Sequence, residues 1–172
     1  IKRIIIMSNK IKWGVIGSGG IARLRTIPEG LTKAENAQLV AVYDLNQEVN
    51  NAVAEMYDVK EVNSVDALLK SGIEAVYIAS PADKHSEHVN ACASANKHVL
   101  CEKPLGVTIE EVENMIKVCK EKDVLLGTGL MMRFLAQHQA ALQIITEDKL
   151  GKPVYGRAQL SCWYPPIQGA WR

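Results

Sequence analysis

Aromatic side chains are scarce here: three Trp, five Tyr and a single Phe in 172 residues. So sparse a set argues against a surface that stacks nucleic-acid bases. An excess of one charge is also missing, with 20 Lys and Arg against 19 Asp and Glu and a net charge of +1. No global field is therefore expected to recruit nucleic acid or an acidic lipid surface. Long apolar runs are absent too; no stretch approaches the roughly 20 residues needed to span a bilayer, so no membrane association is expected. The four cysteines, Cys92, Cys101, Cys119 and Cys162, form no Cys-x-x-Cys pair and no zinc-type spacing. They are expected to be small buried thiols in a reducing compartment rather than disulfides or metal ligands. The apolar run within Ile1–Met7 is too short for a signal-peptide core and precedes no small-residue cleavage site. Residues 1–10 are expected to be a tail, with Met7 as a candidate natural start and the cytoplasm as the default location.

What the chain does contain is alternation. Short apolar strands alternate with amphipathic helices, a pattern that demands a parallel sheet covered on both faces. Strands are expected at Lys12–Ile16, Gln38–Tyr43, Glu61–Val62, Glu74–Ala79, His98–Cys101 and Val124–Gly127. A helix opened by the glycines at 17–20 should run towards Thr32, distorted near Pro28 and Gly30. A second, from Gln47 to Tyr57, should be capped by Asn46 and bury Val49, Ala52, Val53 and Met56. A third is capped by Ser64 and stopped by Gly72, and a fourth covers Asp83–Ala95. A capping box of Thr108 and Glu111 starts the fifth, whose buried stripe reads Ile109, Val112, Ile116 and Cys119. A helix is expected over Phe134–Thr146. From Val154 to Trp163 the pattern has a period of two, which marks a half-buried antiparallel strand. The fold class expected is α/β, a doubly wound parallel sheet of the Rossmann type over 11–130. Residues 131–172 should be a linker helix and the truncated start of an α+β second domain.

Gly17-Ser18-Gly19-Gly20-Ile21-Ala22 fits G-x-G-x-x-G/A directly after the first strand and at the head of a helix. The first glycine permits a tight turn, the second lets a diphosphate approach the backbone, and the small Ala22 lets helix and strand pack closely. The anion would rest on unpaired N–H groups at the positive end of the helix dipole. Asp44 closes the second strand about 20 residues further on, where an acidic side chain holds the adenosine ribose hydroxyls. A carboxylate there repels a 2′-phosphate, so NAD is favoured and NADP remains possible; Arg23 and Arg25 are the charges that could upset this preference.

Three more segments lie where strands end, the edge at which ligands bind in such sheets: Ser80-Pro81-Ala82-Asp83-Lys84-His85, Cys101-Glu102-Lys103-Pro104-Leu105 and Gly127 to Phe134, which includes Arg133. Together with the glycine loop, the strand-two acid, "LGKPVYGRAQL" and the final "GAWR", they resemble in order and spacing the glucose–fructose oxidoreductase, inositol dehydrogenase and rhizopine-catabolism family (Gfo/Idh/MocA). The resemblance covers about residues 11–172, the first half of a typical member.

That resemblance implies an NAD(P)-dependent oxidoreductase, a sugar, inositol or related polyol dehydrogenase moving hydride between nicotinamide and a secondary alcohol or ketone carbon. Lys103 is the implied catalytic residue, reaching the nicotinamide ribose and the reacting hydroxyl, with Glu102 and Pro104 holding it. Ser80, Pro81 and His85 are implied to line the cofactor, Arg133 to lie near the substrate side of the cleft, and Trp171 and Arg172 to approach the cofactor from the second domain. No metal is implied, although His85 and His88 are spaced three apart. The family's proton-accepting histidine, assisted by an aspartate, belongs beyond Arg172. The expected partner is a small polyhydroxylated substrate, with homo-oligomerisation possible. The alternatives are a dinucleotide-binding sensor without catalysis and an inactive gene fragment.

Overall fold

The structure, a computed structural model, describes residues 10–161 and 163. The chain forms two compact units, the first ending at Leu130 and the second beginning at Met131.

In the first unit, six strands form one sheet: β1 (Ile11–Ile16), β2 (Ala37–Tyr43), β3 (Lys60–Glu61), β4 (Ala75–Ile78), β5 (His98–Cys101) and β6 (Leu126–Thr128). The order is β3-β2-β1-β4-β5-β6 and every neighbouring pair is parallel. This is the doubly wound Rossmann arrangement, whose order reverses between β1 and β4 and opens a crevice at the carboxyl ends of those strands.

Both faces of the sheet are buried, which is why the strands read as near-continuous apolar runs. Val15, Val42 and Tyr77 point to one face, where they meet Ala22, Ile27 and Leu31 of a helix over Ala22–Leu31 and Val53 and Ala54 of α1 (Gln47–Tyr57). Their strand neighbours Ile16, Ala41, Val76 and Ile78 point to the other. There they pack on Leu68 of α2 (Val65–Leu69), Val89 and Cys92 of α3 (His85–Ser94), and Met115 and Cys119 of α4 (Ile109–Glu121). Each fully buried Val or Ile contributes about 1.5–3 kcal/mol over its exposed state.

The expected caps are present. Asn46 accepts from the Val49 N–H, Ser64 from that of Ala67 and Thr108 from that of Glu111. The return arm of the capping box differs slightly: the Glu111 carboxylate accepts the N–H of Val107, one residue before the cap.

Five expectations need correction. The helix after the glycine loop is wound as a π-helix over all of Ala22–Leu31, not merely distorted near Pro28. Pro28 has no N–H to give, and the wide winding closes with the Thr32 N–H on the Ile27 carbonyl at 3.0 Å. In α1 the buried face is Asn50, Val53 and Ala54, and Met56 is exposed. Periodicity allows either of two adjacent stripes, and the polar Asn50 takes a core position because both ends of its amide find partners. In α4, Ile109 and Ile116 are exposed while Met115 and Cys119 are buried, with Val112 packed against them. Val112 and Cys119 thus keep their expected places, and Met115 takes the core position expected of its neighbour Ile116.

The last two corrections lie in the second unit. A 3₁₀ turn (Met131–Phe134) precedes α5 (Ala136–Thr146), separated by an extended Leu135, so the helix starts later than Phe134. The strand expected over Val154–Trp163 is not formed among its described residues; Val154, Tyr155, Leu160 and Trp163 are all exposed. A period of two marks a preference, but a strand is stabilised only by a hydrogen-bonded neighbour, and the described residues of this unit provide none. No helix among the described residues is long and apolar enough to cross a membrane.

Candidate functional site

The glycine loop leaves β1 at the crevice. The Gly17 and Ser18 N–H groups donate to the Tyr43 carbonyl at the end of β2, at 2.8 and 3.2 Å. Gly17 has φ +81°, and a Cβ there would lie 2.7 Å from the Ala79 carbonyl carbon and the Ser80 nitrogen. The loops after β1 and β4 thus touch backbone to backbone, and only glycine fits between them. Gly19 is tight for a different reason: its Cβ would meet Val49 at 3.1 Å and Asp44 Oδ2 at 3.3 Å. Gly20, with φ +43°, has nothing within 4 Å of an added Cβ, so the face above it is open. Gly20 and exposed Ile21 start the helix, where N–H groups have no carbonyl one turn back. Ala22 is fully buried against the sheet.

Asp44 reaches across to this loop. Its Oδ2 accepts the Gly19 N–H and its Oδ1 the Asn46 N–H, both at 2.9 Å. Each oxygen keeps a lone pair for a further donor, since a carboxylate has about four acceptor sites. Arg25, near the loop, is paired with Glu29 on the exposed side of its helix at 2.9 Å.

Ser18 is fully buried, and its hydroxyl donates to Asn50 Oδ1 at 3.3 Å; Asn50 Nδ2 donates in turn to the Val62 carbonyl at 2.9 Å. Its side chain therefore supports the loop from beneath and offers nothing to a ligand. Asn50 was not singled out in the sequence; the only signal is a polar residue inside an otherwise apolar helical stripe.

His85 is 1% exposed, and its ring nitrogens face two backbone carbonyls: Nδ1 is 2.8 Å from that of Pro104 and Nε2 2.9 Å from that of Ser80. The imidazole is a clamp between the loops after β4 and β5. Ser80 Oγ lies 2.9 Å from Nδ1 of His88, whose pKa burial holds below the ordinary histidine value. Both histidines are thus engaged locally.

Beyond β5, Lys103 and Pro104 are exposed, with Glu102 half-buried beside them; the Lys103–Pro104 peptide is cis. Glu102 Oε2 accepts the Lys103 N–H at 3.2 Å. Its Oε1 accepts the phenol of Tyr77 at 2.8 Å. A Cβ on Gly129, just past β6, would come within 3.1 Å of the same carboxylate. Tyr77 and Thr26, whose hydroxyl meets the phenol at 2.9 Å, were missed in the sequence because nothing local marks a tyrosine within an apolar strand as a partner for a glutamate 25 residues on.

An unbroken run of contacts thus follows the carboxyl edge of the sheet: Asp44 to Gly19, Gly17 to Ser80, Ser80 to His85, His85 to Pro104, and Glu102 to Gly129. Two concavities lie away from this edge. One of about 470 Å³ is lined by Leu105, Ile116, Cys119 and Leu126, and another of about 500 Å³ lies between α2 and α3. Arg133 belongs to the second unit, on its 3₁₀ turn, and Trp171 and Arg172 lie outside the described residues.

Cys92, Cys101 and Cys119 are buried free thiols. Burial pushes the Cys92 and Cys101 thiols up to about 12, with neighbouring thiols adding to the effect at Cys92 and Glu102 at Cys101.

Residues 11–130 match the model of an oxidoreductase family described as having an NAD-binding Rossmann fold, GFO_IDH_MocA. Over 163 residues the chain is 34% identical to a 1,5-anhydro-D-fructose reductase from Ensifer adhaerens, covering 94% of this chain and 48% of that protein. A 3-ketoreductase from Actinomadura kijaniata, solved with NADP, superposes with a TM-score of 0.75 at 30% identity, covering 81% of this chain and 43% of that one. A scyllo-inositol dehydrogenase from Lactobacillus casei, solved with NAD(H) and scyllo-inositol, gives 0.77 at 28% identity over 83% and 42%. The chain spans less than half the length of each of these relatives. With the family model covering the whole six-stranded sheet and the glycine loop at its crevice, the chain belongs to the Gfo/Idh/MocA family of oxidoreductases.

Proposed function

We propose that this chain holds a nicotinamide dinucleotide along the carboxyl edge of its sheet, NAD in preference to NADP. It serves an enzyme that moves hydride between nicotinamide and a secondary alcohol or ketone carbon of a sugar, inositol or related polyol. The observation that carries the reading is the Asp44 carboxylate bound to the Gly19 N–H. It fixes an anionic ribose-binding group beside a glycine loop whose outer face is open at Gly20. A 2′-phosphate at that point would meet a carboxylate, and of the two arginines that could offset it Arg25 is paired with Glu29.

In this reading Gly17–Ala22 accept the diphosphate and Asp44 the adenosine ribose. Ser80 and Pro81 form the floor between diphosphate and nicotinamide. Glu102 and His85 hold the loop from which Lys103 reaches the nicotinamide ribose and the substrate oxygen. The dinucleotide supplies the hydride chemistry. Lys103, as an ammonium, stabilises charge developing on the substrate oxygen and orients it. Arg133, Trp171 and Arg172 are proposed as cofactor-binding residues contributed by a second domain that begins near residue 131, with residues 1–10 a tail.

Fluorescence titration with NADH and NADPH tests the reading directly. NADH should bind more tightly, and Asp44→Ser should weaken NADH about tenfold while weakening NADPH less, the loss of hydrogen bonds to a charged group being of that order. Tighter NADPH binding by the unmutated protein overturns the cofactor preference, and no binding of either overturns the function.

A further inference from the structure

The loop carrying Lys103 is held by groups that dinucleotide binding itself does not need. Tyr77 lies in β4 and is 1% exposed, yet its phenol is fully engaged. Its hydrogen goes to Glu102 Oε1 at 2.8 Å. A phenol has one hydrogen, so at the 2.9 Å contact with Thr26 the threonine hydroxyl donates and the phenol oxygen accepts. Glu102 Oε2 then accepts the Lys103 N–H. The three bonds converge on one carboxylate: Thr26 donates to Tyr77 and Tyr77 to Glu102 Oε1, while the Lys103 N–H donates to Oε2 from the other side. Thr26 sits in the π-helix that opens from the glycine loop, and Glu102 sits at the far side of the crevice, beyond β5. Burial raises the Tyr77 pKa, so the phenol keeps its proton across the neutral range. Gly129 leaves room for the carboxylate, since a Cβ there would stand 3.1 Å from Oε1. An apolar phenylalanine would fill the same strand position, and the hydroxyl is what remains unexplained by packing.

We propose that Tyr77 is a positioning residue for Lys103: acting through Glu102, it fixes the backbone from which the lysine projects and ties that backbone, through Thr26, to the helix behind the glycine loop. The proposal rests on the reading of Lys103 as the group at the nicotinamide end. It predicts that the hydroxyl matters to the cofactor only while Lys103 is present, which a merely structural tyrosine would not require.

Tyr77→Phe keeps the ring and removes the hydroxyl. Amide hydrogen exchange followed by NMR should show the Lys103 N–H exchanging about tenfold faster in this variant, while amides within β4 and β5, such as those of Val76 and Val99, stay within about twofold of the unmutated protein. NADH titration gives the second arm. Tyr77→Phe should weaken NADH by about three- to tenfold in the otherwise unmutated chain and by less than about twofold when Lys103 is already Ala. Unchanged exchange at Lys103, acceleration shared equally by the strand amides, or additive losses of NADH affinity in the double variant each overturn the proposal. Failure of the unmutated chain to bind NADH instead overturns the dinucleotide reading, and the exchange arm still reports separately whether the relay holds.

Discussion

At the scale of single residues, the edge of the sheet is built by exclusion as much as by attraction. Gly17 combines a positive φ with a backbone contact that no side chain can enter. Gly17→Ala combines left-handed strain with overpacking against Ala79 and Ser80, and should destabilise the fold by roughly 2–4 kcal/mol, read from urea unfolding midpoints. Gly20→Ala meets no atom within 4 Å and should cost less despite its own positive φ, so the pair separates packing from backbone strain. Asp44 and Glu102 are alike in using both carboxylate oxygens to hold loop N–H groups or a phenol. Each is therefore part of the scaffold before any ligand arrives, so substitutions at either should be read for stability as well as affinity.

At the scale of elements, helices are started by side chains and oriented by the core. The Thr108 cap on α4 satisfies a helix-start N–H that no carbonyl reaches, and Thr108→Ala should cost about 1 kcal/mol in denaturant unfolding, with little change in NADH affinity because α4 packs on the face away from the glycine loop. Caps were legible in the sequence because they depend on neighbours three residues apart. The buried stripes of α1 and α4 were legible in part: Val53, Val112 and Cys119 join the core as expected, and Met56, Ile109 and Ile116 do not. Whether Met56 or Asn50 faces the core turns on a contact with Ser18, 32 residues away, and on the Val62 carbonyl. The π winding of Ala22–Leu31 was likewise hinted at by Pro28 but set by where its residues must meet β1 and β2.

At the scale of the whole molecule, burial of titratable groups makes stability depend on pH. The Cys92 and Cys101 thiols titrate near 12 when folded and near 9 when unfolded. The unfolded chain therefore loses protons first as pH rises. Stability is whole below about pH 9 and falls between about 9 and 12, with the raised Tyr77 phenol adding to the loss. Thermal unfolding across that range should show a steadily falling midpoint, and thiol reagents should label neither Cys92 nor Cys101 in the folded protein at neutral pH.

The alternation of strands and helices, the parallel sheet and the glycine loop with its acid were determined by the sequence alone. They follow from local periodicity, from the φ that only glycine adopts freely, and from a fixed spacing along one βαβ unit. The tertiary structure alone decided that His85 clamps two loops, that Tyr77 reaches Glu102, and that the alternating segment after Val154 forms no strand among its described residues. Each of these depends on which distant backbone group becomes a neighbour, and hydrogen-bond partners brought together across a sheet leave no mark on the local pattern of either residue.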